Sequence, residues 1–308
     1  MFRFQQTSET FLGIPTAADA AGADVAIFGA VHGTAYPHAS SATEETIAPD
    51  AVRRAITAAS VNIDHWDFDF GGPLLNDGAL TVVDLGNVPT AFNANEKNRE
   101  AIGEATRSVR ARGALPILIG GDDSTAIPFI RSLSDLPALH ILQIDAHIDW
   151  RDRIGDEPLG YSSTMRRASE VPSVRSITQV GIRAVGSARR EEVDAAVSWG
   201  ARIFTVQQTR RSGMAAIADT IPREGALLIH IDLDALDPSI CPGVNALSPG
   251  GLRLDEVTEL IAEAMRGRTL AGFSIVELNP AADVNGMTAT VAGRLICHVL
   301  GHLARRGP

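Results

Sequence analysis

The segment Leu139–Asp149 reads LHILQIDAHID, and its two halves decide the architecture of the chain. The first half, LHILQI, is a short, mostly apolar run of strand length, as expected of a strand buried on both faces. The second half crowds Asp145, His147 and Asp149 together at the end of that run. Along an extended chain, residues two apart face the same side. The spacing therefore predicts three ligating side chains pointing one way at a strand's carboxyl end.

The same arrangement recurs on either side. PILIG leads into Gly120-Gly121-Asp122-Asp123-Ser124, ALLIHI leads into Asp232-Leu233-Asp234, and GFSIV closes on Glu277. Eight such strand candidates run along the chain: Asp24–Ala30, Leu80–Leu85, Pro116–Ile119, Leu139–Asp145, Ser176–Ile182, Ile203–Val206, Leu227–Asp232 and Gly272–Glu277. Helical patterns lie between them, at Pro49–Ala59, Ala94–Arg112, Ser124–Leu133, Arg189–Trp199, Gly213–Ile221, Leu254–Met265 and Thr288–Arg305. Strands alternating with helices imply crossover units. The expected fold is α/β: three α/β/α layers around a largely parallel, about eight-stranded sheet. No repeat or linker interrupts the pattern, so residues 1–308 are read as a single domain. Ligands of such folds sit beyond the carboxyl ends of the strands, and that is where this sequence places its acids.

Composition narrows the function. With 45% hydrophobic and 21% charged residues among 308, the chain has the profile of a soluble globular protein. A formal net charge of −10 argues against nucleic acid, which needs a concentrated basic surface. No stretch approaches the ~18 apolar residues that a membrane span requires. Cys241 and Cys297 form no CxxC or zinc-ribbon spacing, so a reducing cytoplasm is the expected location.

A lone DxD after a strand is as a rule a turn or helix cap, and GGDDS alone reads equally well as a capped turn. Three such clusters at strand ends are another matter. So many carboxylates in one cleft repel each other unless a cation neutralises them. Oxygen ligands with one or two imidazoles suit Mn²⁺, with Zn²⁺, Ni²⁺ or Co²⁺ as competitors. Two such ions sharing a water would make a hydrolytic site.

These residues also resemble the motifs of the ureohydrolases, the family of arginases and agmatinases. That family carries a GGDHS-like turn, DAHxD, DxDxxDP with a following loop rich in Pro and Gly, and a late glutamate before Asn-Pro. Here they read GGDDS, DAHID, DLDALDPSICPGVNALSPGG and Glu277-Leu278-Asn279-Pro280. AVHGTAYPHAS…IAPDAVRRA and ITQVGIRAVG extend the likeness over nearly the whole chain. The resemblance implies the arginase-like fold and two divalent metals, Mn²⁺ first. It places the ligands at Asp145, His147, Asp149, Asp232 and Asp234, with Asp123 as a sixth. It implies attack of a metal-bridging hydroxide on a guanidinium carbon, releasing urea and an amine. Asp149 would orient the nucleophile and carry its proton to the leaving amine, and Glu277 would bind the guanidinium. The substrate implied is a small cationic guanidino compound of the agmatinase-like branch, such as agmatine or guanidinobutyrate. The assembly implied is a homotrimer or homohexamer, with a hetero-oligomer as the variant.

Two departures from the family pattern stand out. Asp123 replaces the histidine of GGDHS. With Asp123 the ligand set holds five carboxylates against two divalent ions, a more electronegative centre that favours hard metals. Restoring a histidine there is expected to preserve or raise metal affinity. The second departure is a missing shuttle histidine after DAHID, where Tyr161 is the nearest counterpart. A phenol with an ordinary pKa of ~10 positions a substrate better than it moves protons. His38 is the other candidate to reach the substrate from a loop. His230, two residues before Asp232, reads as packed or outer-shell rather than as a ligand. Arg153, Arg166 and Arg167 read mainly as surface residues. The departures motivate an alternative, a weakly active or silent subunit that supports an active partner chain. Hydrolysis of another C–N bond, such as a formimino group, is the third reading.

Overall fold

The computed structural model describes residues 2–36, 48–60, 62–186 and 188–306. Its centre is an eight-stranded sheet. In chain order the strands are β1 (Val25–Ala30), β2 (Val82–Asn87), β3 (Leu115–Gly120), β4 (Leu139–Ile144), β5 (Val174–Ile182), β6 (Arg202–Thr205), β7 (Ala226–Asp232) and β8 (Thr269–Val276). Across the sheet they run β2-β1-β3-β8-β7-β4-β5-β6, and every pairing is parallel. The four middle strands, β3, β8, β7 and β4, are those whose carboxyl ends carry the acids. Residues separated by more than 150 positions thus become lateral neighbours.

Alternation along the strands feeds two apolar layers. In β7, Leu227, Ile229 and Ile231 pack on one face with α1 (Ala48–Ser60), α8 (Leu254–Met265) and α9 (Met287–Ala304), through Ile56, Leu260 and Leu295 among others. Leu228 faces the other way, into a layer with Ile102 of α2 (Asn95–Arg110), Phe129 of α3 (Ala126–Arg131) and Met165 of α4 (Thr164–Ala168). Each fully buried side chain of this size is worth about 1.5–3 kcal/mol. Burial on both faces is why the strands read as nearly unbroken apolar runs.

All eight expected strands and all seven expected helices are present, with shifted ends. The run expected to continue to Val206 stops at Thr205, whose Oγ1 accepts the Gln208 N–H at 3.2 Å and caps α6 (Val206–Ser212) instead. The expected helices include α5 (Arg190–Trp199) and α7 (Met214–Ala218), whereas α4 and α6 are absent from the sequence reading. A small antiparallel pairing of Trp66–Asp67 with Gly72–Pro73 is also absent from it.

Candidate metal centre

Beyond β3 the backbone makes a tight turn. A Cβ on Gly121 would overlap the Val31 carbonyl and one on Gly120 would strike Thr125 Oγ1, so the pair of glycines lets the turn close. Asp122 Oδ1 then accepts from Ser124 N–H at 3.0 Å and from Ser124 Oγ, while Ser124 Oγ accepts from Thr34 N–H. This fixes Asp123, which is buried, pointing inward. Its N–H donates to Glu277 Oε1 at 2.8 Å. Glu277 in turn is a left-handed residue, φ 68°, whose N–H donates to Gly121 O at 2.7 Å. The ends of β3 and β8 therefore hold each other.

The DAHID segment departs from the extended reading. β4 ends at Ile144, and the segment turns, with Asp149 at φ 44°. His147 N–H donates to Asp145 Oδ1 at 2.5 Å. Gln143, the last polar residue inside β4, donates from Nε2 to Asp145 Oδ2 at 2.6 Å and to Asp149 Oδ2 at 2.9 Å. The acids still converge, but through a turn and a shared amide donor rather than through strand alternation. The second pair behaves likewise. Asp232 ends β7, and Asp234 lies in a single 3-10 turn with its N–H on Asp232 Oδ1 at 2.8 Å. Arg183, from the ITQVGIRAVG segment, clasps that turn by donating to Asp234 O at 2.6 Å and to Ala235 O at 3.1 Å.

The acids meet at one cavity of about 670 Å³, lined by Asp122, Asp123, His147, Asp149, Asp232, Asp234 and Glu277. Asp145 sits fully buried against it, and ligand atoms of Asp145, His147 and Asp234 all lie within 4.8 Å of one another. His147 Nδ1 is 3.0 Å from Asp234 Oδ2 and 3.6 Å from Asp145 Oδ1. Behind the cavity wall, Asp123 Oδ1 lies 2.7 Å from His230 Nε2 but out of hydrogen-bond alignment with it. Both Asp123 oxygens and His230 Nε2 consequently stay buried without a hydrogen-bond partner.

Electrostatics express the crowding. Burial, followed by the charges of Asp145 and Asp123, pushes Asp149 well above the carboxylate range. Burial and Asp234 do the same to Asp232, and burial and Asp122 to Glu277. Asp234 is raised by burial and Asp145, partly offset by His147. Asp122 is pushed up to about 6, chiefly by burial, against the Ser124 hydrogen bonds. Burial works on Asp145 too, but its contacts with His147 and Asp149 outweigh it and lower its pKa. Hydrogen bonding to Asp145 and then Asp234 lifts His147 to about 10, so an imidazolium balances the two acids. Orphaned buried oxygens, raised acids and a cationic histidine are what a cation-binding set of oxygen and nitrogen donors shows before a cation neutralises it. The residues fit divalent metals.

The other expected residues are placed as follows. Tyr161 is 41% exposed, lines the cavity, and packs edge-on against Tyr36 with ring centroids 4.8 Å apart. Burial and then Tyr36 raise its pKa, which keeps the phenol neutral. His38 lies outside the described residues. Arg153, Arg166 and Arg167 are engaged in ion pairs with Asp152 and Glu170, away from the cavity. Arg151 does line it, 3.4 Å from Glu192. Sequence reading missed Asp122, Tyr36, Gln143 and Gln179 as parts of the site. The two glutamines do not stand out in the sequence, because their strands carry other polar residues, His140 in β4 and Arg175, Ser176 and Thr178 in β5.

Comparison with known proteins gives the same direction. The family profile described as Arginase family matches residues 23–301. Arginase 1, mitochondrial, of Oryza sativa subsp. indica is 30% identical over 273 residues, covering 84% of this chain and 76% of its own. Guanidinopropionase of Pseudomonas aeruginosa is 32% identical over 233 residues, 73% of this chain and 72% of its own. Among solved structures, the proclavaminate amidino hydrolase of Streptomyces clavuligerus superposes with a TM-score of 0.84 over 98% of both chains, at 23% identity.

Proposed function

Because this chain belongs to the arginase family, we propose that it is a two-metal amidinohydrolase releasing urea from a small guanidino compound of the agmatinase-like kind. One observation carries this reading: six carboxylates line a single cavity beside His147, with Asp145 directly against them. In this reading Asp123, Asp145, His147, Asp149, Asp232 and Asp234 hold two divalent ions, Mn²⁺ being favoured by the excess of oxygen donors. When bound, the pair supplies Lewis acidity and activates water at neutral pH.

The chain's own groups do the rest. The acidic cavity attracts a cation and repels anions. Glu277, whose Oε1 is already held by the Asp123 N–H, keeps its carboxylate fixed for a planar guanidinium. Asp149 binds a proton more tightly than an ordinary aspartate, so it can take one from the nucleophile and deliver it to the departing amine nitrogen. The neutral phenols of Tyr161 and Tyr36 form the wall against which the rest of the substrate packs. Agmatine and guanidinobutyrate are the compounds to try first, being those handled on the branch the motifs resemble. A homotrimer or homohexamer belongs to the same reading and is tested by light scattering.

The experiment is a urea-release screen across guanidino compounds, including arginine, with Mn²⁺- and Ni²⁺-loaded protein and parallel metal analysis. Urea from at least one compound, with close to two ions per chain, is the expected result. Two bound ions and no urea from any member of the panel would overturn the reaction, and one ion or none would overturn the two-metal site.

A further inference from the structure

A row of polar side chains crosses the middle of the sheet one level below the acids. Ser274 of β8 is in register with His230 of β7, His230 with Gln143 of β4, and Gln143 with Gln179 of β5. All four are fully buried. Register neighbours in a parallel sheet face the same side, and these face the layer that holds Ile141, Ile177 and Leu228, two residues earlier on β4, β5 and β7. Apolar side chains would fill those places without the cost of burying polar groups.

The row's contacts explain its presence. Both N–H groups of Gln143 are given to acids, Asp145 and Asp149, and its carbonyl is taken by Gln179 Nε2 at 2.5 Å. Gln179 also donates to Ile148 O at 2.8 Å, within the DAHID turn itself. On the other side, His230 Nδ1 lies 2.9 Å from Ser274 Oγ and Nε2 lies 2.7 Å from Asp123 Oδ1. A lone pair on Nε2 would face a carboxylate oxygen at that distance and be repelled. The favoured tautomer carries its proton on Nε2, with the Ser274 hydroxyl donating to Nδ1. Forming the Asp123 hydrogen bond then needs reorientation, not approach. His230 does not line the cavity, so it acts through Asp123.

We propose that the Ser274–His230–Gln143–Gln179 row is the positioning layer of the metal centre: His230 aims Asp123, and Gln143 aims Asp145 and Asp149. Resting on the two-metal reading above, this makes Asp123 with His230 behind it the substitute for a single histidine ligand. The row presents donors to the acids, leaving their other lone pairs for cations.

The test uses the full-length protein and Mn²⁺ titrations in competition with a chelator, with metal content after gel filtration. H230A and Q143L are each expected to weaken at least one Mn²⁺ step by about 10–100-fold, the usual effect of losing an outer-shell partner. H230Q, which keeps an amide N–H, should recover much of the loss, and S274A should weaken the same step less than H230A. Pulsed EPR of the Cu²⁺-loaded protein should count one coordinated imidazole, from His147, in both wild type and H230Q. Two imidazoles in wild type falling to one in H230Q would make His230 a ligand and overturn the positioning role. Unchanged Mn²⁺ affinities in H230A and Q143L would overturn it as well. Should H230A not fold by circular dichroism, S274A and H230Q carry the test, and unaltered affinity in S274A counts against the proposal. Failure of the urea screen with these affinities ordered as expected would refute the reaction and leave the layer standing.

Discussion

Replacing Asp122 by asparagine should stabilise the metal-free protein, and do so more at high pH than at low. Asp122 faces Asp123 and Glu277, and burial raises its pKa from 3.8 to about 6. A carboxyl whose folded pKa exceeds its unfolded one stabilises the fold fully below 3.8 and loses that contribution as pH rises through 6. Above that window the metal-free wild type is penalised by about 3 kcal/mol, at 1.36 kcal/mol per unit. Solvent at the cavity mouth screens part of this, which leaves about 1–3 kcal/mol. The amide variant keeps the acceptor, Oδ1, that Ser124 N–H and Oγ cap, so the turn is preserved. Urea denaturation in EDTA should therefore show a gain for D122N at about pH 8 that shrinks by about 1–2 kcal/mol at about pH 4.5. Saturating Mn²⁺ should shrink it too, because a nearby cation favours the charged carboxylate and offsets the cost of burying it. A gain independent of pH, or one largest in acid, would refute this account of the raised Asp122 pKa.

Metal removal should follow the same sign. Burial and then mutual repulsion raise the pKa values of Asp149, Asp232, Asp234 and Glu277, so stripping the ions should lower the Tm more at about pH 8 than at about pH 5; an equal loss at both would count against these acids as the source of the loss. D149N should retain the fold by circular dichroism, since asparagine tolerates the φ of 44°, while kcat falls about 10²–10⁴-fold; a variant near wild-type rate would remove Asp149 from the chemistry. D123H, expected from the sequence to preserve or raise metal affinity, now carries the opposite expectation, because the fully buried His230 already places Nε2 2.7 Å from the Asp123 carboxylate, where a second imidazole would crowd it. Mn²⁺ titration should show weaker binding in D123H and recovery in the D123H/H230S double variant; tighter binding in D123H alone would refute the crowding argument.

The eight strands, their alternation with helices and the acids at four strand ends were all legible in the sequence. Strands buried on both faces must be written as nearly continuous apolar runs, and a charge just past such a run stands out without any knowledge of neighbours. The two departures from the family pattern, Asp123 and the missing shuttle histidine, were legible in the sequence too. What it left undecided depends on register and on backbone turns. DAHID looked like three residues on one face of a strand, yet Asp149 reaches the cavity through a left-handed turn. Asp122 and Tyr36 look like ordinary turn and loop residues until the turn beside Gly121 and the packing on Tyr161 bring them to the cavity. Ser274, His230, Gln143 and Gln179 come from four strands, and nothing in any one strand says which residue will lie beside which. Only the packed sheet sets that register. It does so because shifting a strand by one residue would turn its apolar side chains to the wrong layer, and that constraint is what lines the polar row up beneath the acids.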